Sequence, residues 1–122
     1  MGNALLKKAK EKGMGILGIK SMIDRRWFSK EEKHASPYPK SWCRPFDIEN
    51  ETELLTAAIR YTLSLGVDAI VPPGNFEHFK FGVTHFDEIA SKPFSPEEQA
   101  ILRARLEQVR EYPFLEPECW EL

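Results

Sequence analysis

Two stretches decide the fold class: Met14-Gly15-Ile16-Leu17-Gly18-Ile19-Lys20 and, fifty residues on, Val67-Asp68-Ala69-Ile70-Val71. Each is a short apolar run with no helical period, and each is bounded by turn formers. Such runs read as strands buried on both faces, as in a parallel sheet. Gly15 and Gly18 weaken a strand by themselves, so they are expected where a neighbouring backbone or helix approaches closely. The second run begins after Gly66 and is stopped by Pro72-Pro73-Gly74-Asn75. Asp68 inside it is read as capping the strand's entrance, with a catalytic role as the sharper alternative.

The segments around these runs have helical period. Asn50 is placed to cap a helix over 51–65, whose Leu54, Leu55, Ala58, Ile59, Thr62 and Leu63 share a face, and Gly66 closes it. Residues 76–90 are amphipathic again, with Phe79, Val83, Phe86 and Ile89 at helical spacing. Ser95-Pro96-Glu97-Glu98 holds a capping serine, a proline at the first position and a glutamate three residues on, which starts a third helix. Ile101, Leu102, Leu106 and Val109 give it an apolar side. Upstream, Asn3 caps a helix over 4–12 that Gly13 ends. Residues 21–48 have no sustained period and are broken by Pro37, Pro39 and Pro45. They read as a long functional loop, anchored by Trp27, Phe28, Tyr38, Trp42 and Phe46. The tail from Tyr112 is expected to be an extended strap ending near Trp120.

The order is helix, strand, long loop, helix, strand, helix, helix. Strands alternating with helices imply α/β architecture and parallel pairing. Two doubly buried strands need neighbours on both edges, so the pattern has the look of a slice of a larger α/β protein. Unpaired edges would also favour self-association.

Composition sets bounds on function. The chain has 122 residues, 42% hydrophobic and 30% charged, with a formal net charge of −2. That disfavours a basic nucleic-acid binder. No apolar run approaches the ~20 residues of a membrane span. Cys43 and Cys119 are too few and too distant for a disulfide framework, and the N-terminal segment has neither a secretory apolar core nor a myristoylation signal. Reduced thiols and a cytoplasmic setting are the expectation.

Three segments in order carry a family resemblance. They are Lys12-Gly13-Met14-Gly15-Ile16-Leu17-Gly18-Ile19-Lys20, then Ala57-Ala58-Ile59-Arg60-Tyr61-Thr62-Leu63-Ser64, then Gly66-Val67-Asp68-Ala69-Ile70-Val71-Pro72-Pro73-Gly74. Together they resemble the seventh strand, the helix after it and the eighth strand of the aldo/keto reductases. The resemblance covers about residues 4–110. It implies a partial (β/α)8 TIM barrel: the last two strands with their helices and a C-terminal helix, all 122 residues forming one C-terminal segment.

The same resemblance implies an oxidoreductase that transfers hydride between NADPH, or NADH, and a small carbonyl or alcohol substrate. The family's catalytic tyrosine, lysine, aspartate and histidine sit on earlier strands, so no residue here is assigned a catalytic role. Cofactor contact is implied at Lys20, Ser21 and Met22 after the first strand, where the family often has proline, leucine and glycine. It is implied again at Pro73, Gly74 and Asn75 after the second strand, with Lys80 as the nearby cation. Gly74 would allow close backbone approach, and the following helix start would offer N–H groups to a phosphate. The rival reading is a short non-catalytic protein that associates with a partner or with itself.

Other features have plain and sharp readings side by side. His78 and His85 are expected at the surface or an edge; as a zinc pair they lack further ligands. Arg25, Arg26 and Trp27 are a solvated loop with an aromatic anchor, or else a phosphate clamp. Cys43 is an inert thiol, or one activated by neighbouring charge. Glu97 and Glu98 are helix-start charges. The phenylalanines at 76, 79 and 86 read as core.

Overall fold

A computed structural model describes residues 2–110. Five helices and four short strands lie along them: α1 (Gly2–Glu11), β1 (Leu17–Ile19), β2 (Ile23–Arg25), α2 (Lys30–Ala35), β3 (Arg44–Pro45), α3 (Thr52–Ser64), β4 (Ala69–Val71), α4 (Phe76–Ala90) and α5 (Pro96–Val109). No helix among the described residues is long and apolar enough to cross a membrane. The expected strap and Cys119 lie outside the described residues.

The two deciding runs do pair in parallel. Leu17, Gly18 and Ile19 stand opposite Ala69, Ile70 and Val71. Asp68 closes the entrance: its carboxylate accepts from the Ile16 N–H at 2.7 Å, and its own N–H donates to the Ile16 carbonyl at 2.8 Å. The capping reading of Asp68 therefore describes this residue.

The barrel expectation is overturned. The described strands form two separate two-stranded sheets, β1 with β4 and β2 with β3, and neither closes or extends into a barrel wall. Nor are the apolar runs buried on both faces. Gly18 and Ile70 turn toward the helices, while Leu17, Ile19, Ala69 and Val71 are exposed on the other face. A period-two pleat sends alternate residues to opposite sides. With helices on one side only, half of each apolar run stays in water.

Gly18 is where α3 comes closest. A Cβ there would stand 2.8 Å from the Thr62 methyl. The Thr62 hydroxyl donates to the Ala58 carbonyl at 3.0 Å, which fixes the rotamer that makes the crowding. Gly15 has open space instead, so the close-approach reading holds for Gly18 alone.

The helices keep their expected positions, with changes at the caps. α3 has Glu51, not Asn50, at its N-cap, without a side-chain capping bond. The Asn50 amide instead donates to Asp47 Oδ1. Gly66 follows α3 with φ +76, a conformation that favours glycine over residues with a Cβ. α5 has the complete capping box foreseen at Ser95 and Glu98.

The long loop is not structureless. It folds back as the β2–β3 hairpin, with α2 started by the Ser29 hydroxyl. Its strands, Ile23-Asp24-Arg25 and Arg44-Pro45, lack the apolar run that marks β1 and β4 in the sequence. The core is built where this hairpin meets α3 and α4: Met22, Phe46, Leu55, Ile59, Phe81 and Ile89.

Candidate functional site

Parallel pairing sets the carboxyl ends of β1 and β4 next to each other, since Ile19 stands opposite Val71. The chain leaves β1 through Lys20, Ser21 and Met22 and leaves β4 through Pro72, Pro73, Gly74 and Asn75. Both groups of sequence-predicted residues therefore open from the same end of the sheet.

Their individual situations differ. Lys20 has φ +61, a conformation uncommon for a residue with a side chain. Its ammonium lies 3.5 Å from Cys43 Sγ and 5.5 Å from the centre of the Trp42 ring. Ser21 is buried, and its hydroxyl has no hydrogen-bond partner among the described residues. Met22 is a core residue at 3% exposure, so its side chain faces the hairpin and α4 and not solvent. Pro73 is half-buried, while Gly74 and Lys80 are exposed. A Cβ at Gly74 would meet nothing within 4 Å. The space above the corner is open.

Asn75 is the N-cap of α4, its Oδ1 accepting from the His78 N–H at 3.3 Å. His78 completes a chain of contacts that sequence reading missed. Its Nδ1 lies 2.6 Å from Asn75 Oδ1, and its Nε2 lies 2.7 Å from the Phe46 carbonyl oxygen. The Phe46 N–H in turn donates to the Met22 carbonyl at 3.0 Å. The loop after β1 and the helix after β4 are thus joined through the β3 end of the hairpin. His78 is fully buried, which corrects the surface reading. Burial pushes its imidazole below the usual histidine range, against the pull of the Phe46 carbonyl and of Asp47 and Glu77. The Tyr38 ring meets it edge-on at 4.8 Å.

The helical phase of α4 is the signal that was misread. Residues 76–90 are apolar on two sides, and sequence spacing favoured the side with Phe79 and Phe86. The structure buries His78, Phe81 and Ile89 and leaves Phe76, Phe79, Val83 and Phe86 exposed. Phe79, Val83 and Phe86 border an apolar groove of about 290 Å³ beside Ala69, Ile70 and Pro72. A larger cleft of about 620 Å³ lies against β1, bounded by Leu6, Gly18, Thr62, Leu102 and Leu106.

Of the two adjacent loop arginines, Arg26 is exposed and Arg25 is structural. Arg25 is buried, pairs with the Glu32 carboxylate through Nη2 at 2.6 Å and lies over the Phe28 ring. That pairing holds the Glu32 carboxyl below its usual range, ahead of the opposing effect of burial. Trp27 is the anchor, its indole N–H donating to the Ser41 carbonyl at 3.0 Å. Asp24 is a second residue the sequence did not flag. Its carboxylate is fully buried and accepts from Arg44 at 2.8 Å and from Arg105 at 2.8 and 2.6 Å. Among the described residues no group of three histidines, cysteines or carboxylates could hold a metal ion.

A mobile anion brought to the β1–β4 end would meet the open backbone at Gly74 and the first turn of α4, while the buried Ser21 hydroxyl belongs to a residue of the larger cleft against β1. The acidic Glu77 in that same turn opposes it. Comparisons with family models, with curated proteins and with solved structures find no match to this chain.

Proposed function

We propose that this chain is the cofactor-contacting portion of an NADPH-dependent oxidoreductase of the aldo/keto reductase kind, acting on a small carbonyl or alcohol in the cytoplasm. The observation that carries the reading is the buried Ser21 hydroxyl without a partner, in the loop whose strand ends beside that of the Pro73-Gly74-Asn75 corner. A buried hydroxyl left unmated costs free energy unless something hydrogen-bonds to it. A nucleotide diphosphate or ribose oxygen fits that need. The three ordered segments of family resemblance support the same reading.

On this reading Ser21 and the backbone at Gly74 hold the cofactor, and Lys80 adds a cation at the α4 start. Met22 acts only by seating the loop in the core, and Lys20 by turning it. Bound nicotinamide supplies the hydride. The proton donor and its tuning groups belong to sequence other than these residues, because Tyr38 and Tyr61 are not in the family's catalytic context.

The test is titration of the isotope-labelled chain with NADPH and, separately, NADH. Saturable shifts confined to the amides of Ser21, Gly74, Phe76 and Glu77 are expected, stronger for NADPH where Lys80 meets the extra phosphate. Absence of such shifts at millimolar nucleotide would sink the reading. Reduction of a carbonyl by this chain alone would sink its division of labour.

One observation favours a second reading, a non-catalytic protein that associates with itself or a partner. The sheet face formed by Leu17, Ile19, Ala69 and Val71 is bare, and large apolar surfaces of this kind mark contact sites. Sedimentation across a dilution series separates the two: a monomer at every concentration, unchanged by Ile19→Lys, counts against self-association.

A further inference from the structure

His78 is fully buried, and both of its ring nitrogens face oxygen atoms: Asn75 Oδ1 at 2.6 Å from Nδ1 and the Phe46 carbonyl at 2.7 Å from Nε2. A neutral imidazole has one N–H and one lone pair. It can satisfy only one of those oxygens, and its lone pair is then set against the other. Two N–H groups are present only in the imidazolium.

The neighbouring amide carries the matching mismatch. Asn75 Nδ2 is buried with no partner among the described residues. A half-turn of that amide removes both problems, because Nδ2 then donates to a neutral Nδ1 while Nε2–H donates to Phe46. The turn has a cost. It takes Oδ1 away from the His78 backbone N–H, which is the side-chain cap of α4.

We propose that His78 and Asn75 form a proton-operated latch: protonation of the buried imidazole turns the Asn75 amide and closes the cap on α4, and loss of the proton opens it. The two states differ in one proton and one amide rotation, and each satisfies the ring in full.

The groups around the ring set the balance. Asp47, ahead of α3, and Glu77, on α4, both favour the charged ring, while the Tyr38 ring from the hairpin loop meets it edge-on. Burial opposes the charge and outweighs them. The open state therefore prevails at neutral pH, and the closed state is reached on acidification. The latch stands on the His78–Asn75–Phe46 geometry and does not depend on the cofactor reading.

The test uses the full chain labelled with 15N, followed from about pH 8 to about pH 4.5, a range that brackets ordinary histidine titration. At the upper end the Nε2–H tautomer is expected, with the Asn75 side-chain amide bonded to Nδ1. On acidification Nδ1 protonates, the Asn75 amide resonances move in the same transition, and the protection of the His78 backbone amide, its exchange rate taken relative to the intrinsic rate at each pH, rises about fivefold, the change that a cap of ordinary strength brings. A Nδ1–H tautomer at the upper end, or a His78 titration that leaves the Asn75 amide unmoved, overturns the proposal. Asn75→Asp supplies two acceptors and no donor, so it keeps the cap closed. That variant is expected to raise the His78 midpoint and abolish the pH dependence of the His78 amide's protection. An unchanged midpoint in Asn75→Asp overturns the proposal as well.

Discussion

Gly18 shows how one missing methyl group fixes the distance between a strand and a helix. The Thr62 methyl occupies the place a Cβ would take, and the Thr62–Ala58 hydrogen bond keeps it there. Gly18→Ala is expected to lower stability by about 1–3 kcal/mol through overpacking. Gly15→Ala, made three residues earlier in open space, is expected to change it by less than about 0.5 kcal/mol. Urea denaturation of the pair reads this directly, and equal losses would contradict the packing account. The two glycines look alike in sequence. What distinguishes them is Thr62, forty-four residues away, whose proximity no local pattern encodes.

His78 belongs to the same scale. Its folded pKa is held below that of the unfolded chain, so in the window under the usual 6.5 the unfolded state binds more protons. Stability is full above that value and is lost as pH falls toward the folded pKa. His78→Gln is expected to flatten this acid-side loss, as followed by thermal melts between about pH 7 and pH 5. The cap at Asn75, whose Oδ1 accepts from the His78 N–H, is a finding of the structure. Burial of the ring was not legible, because Phe46 comes from another part of the chain.

At the scale of elements, α5 is the clearest case of local determination. Ser95, Pro96 and Glu98 are next to one another in sequence, and the capping box they form needs nothing distant. Ser95→Ala is expected to cost about 1 kcal/mol. Burial raises the Glu98 carboxyl, but the Ser95 N–H and the Arg60 guanidinium outweigh it and hold the carboxyl below its usual range. Its contribution is therefore present above about pH 4.5 and is lost as pH falls through the lowered value. Acid titration of Arg60→Gln against the parent checks the sign: the variant should lose less stability on acidification.

The helix α4 makes the opposite point. Its existence was legible from period, yet neither its cap at Asn75 nor its buried side was. Two apolar stripes compete on it, and Met22 and Phe46 select the one bearing His78 and Phe81. The hairpin in residues 21–48 was invisible for a related reason. Its strands, Ile23-Asp24-Arg25 and Arg44-Pro45, have no apolar run of their own, and their pairing is secured by Asp24, Arg44 and the core beneath.

Across the whole molecule, Asp24 is the tie between the first half and the last helix. Its buried carboxylate takes three bonds from Arg44 and Arg105, which lie twenty and eighty-one residues away. Arg44 also reaches Glu51 at 2.9 Å, so hairpin, α3 and α5 meet at one charge cluster. Removing one partner of a buried pair leaves the others uncompensated and costs about 3–5 kcal/mol. Asp24→Asn is expected to fall in that range, and a joint Asp24→Asn, Arg105→Gln variant to lose less than the sum of the singles. Strict additivity in that cycle would show that the two do not act on each other.

The sequence by itself determined what short-range physics controls: three of the helices with their glycine or serine ends, the capping of a strand by Asp68, and the pairing type of two apolar runs joined through a helix. These follow from backbone hydrogen bonding and period, which act over a few residues. Only the tertiary structure decided which faces are buried, that the described strands form two small sheets in place of a barrel wall, and that Ser21, His78 and Asp24 lie in the interior. Each of these depends on contacts between segments tens of residues apart. A run of apolar residues specifies that something must cover it, and the rest of the folded chain determines how much of it is covered.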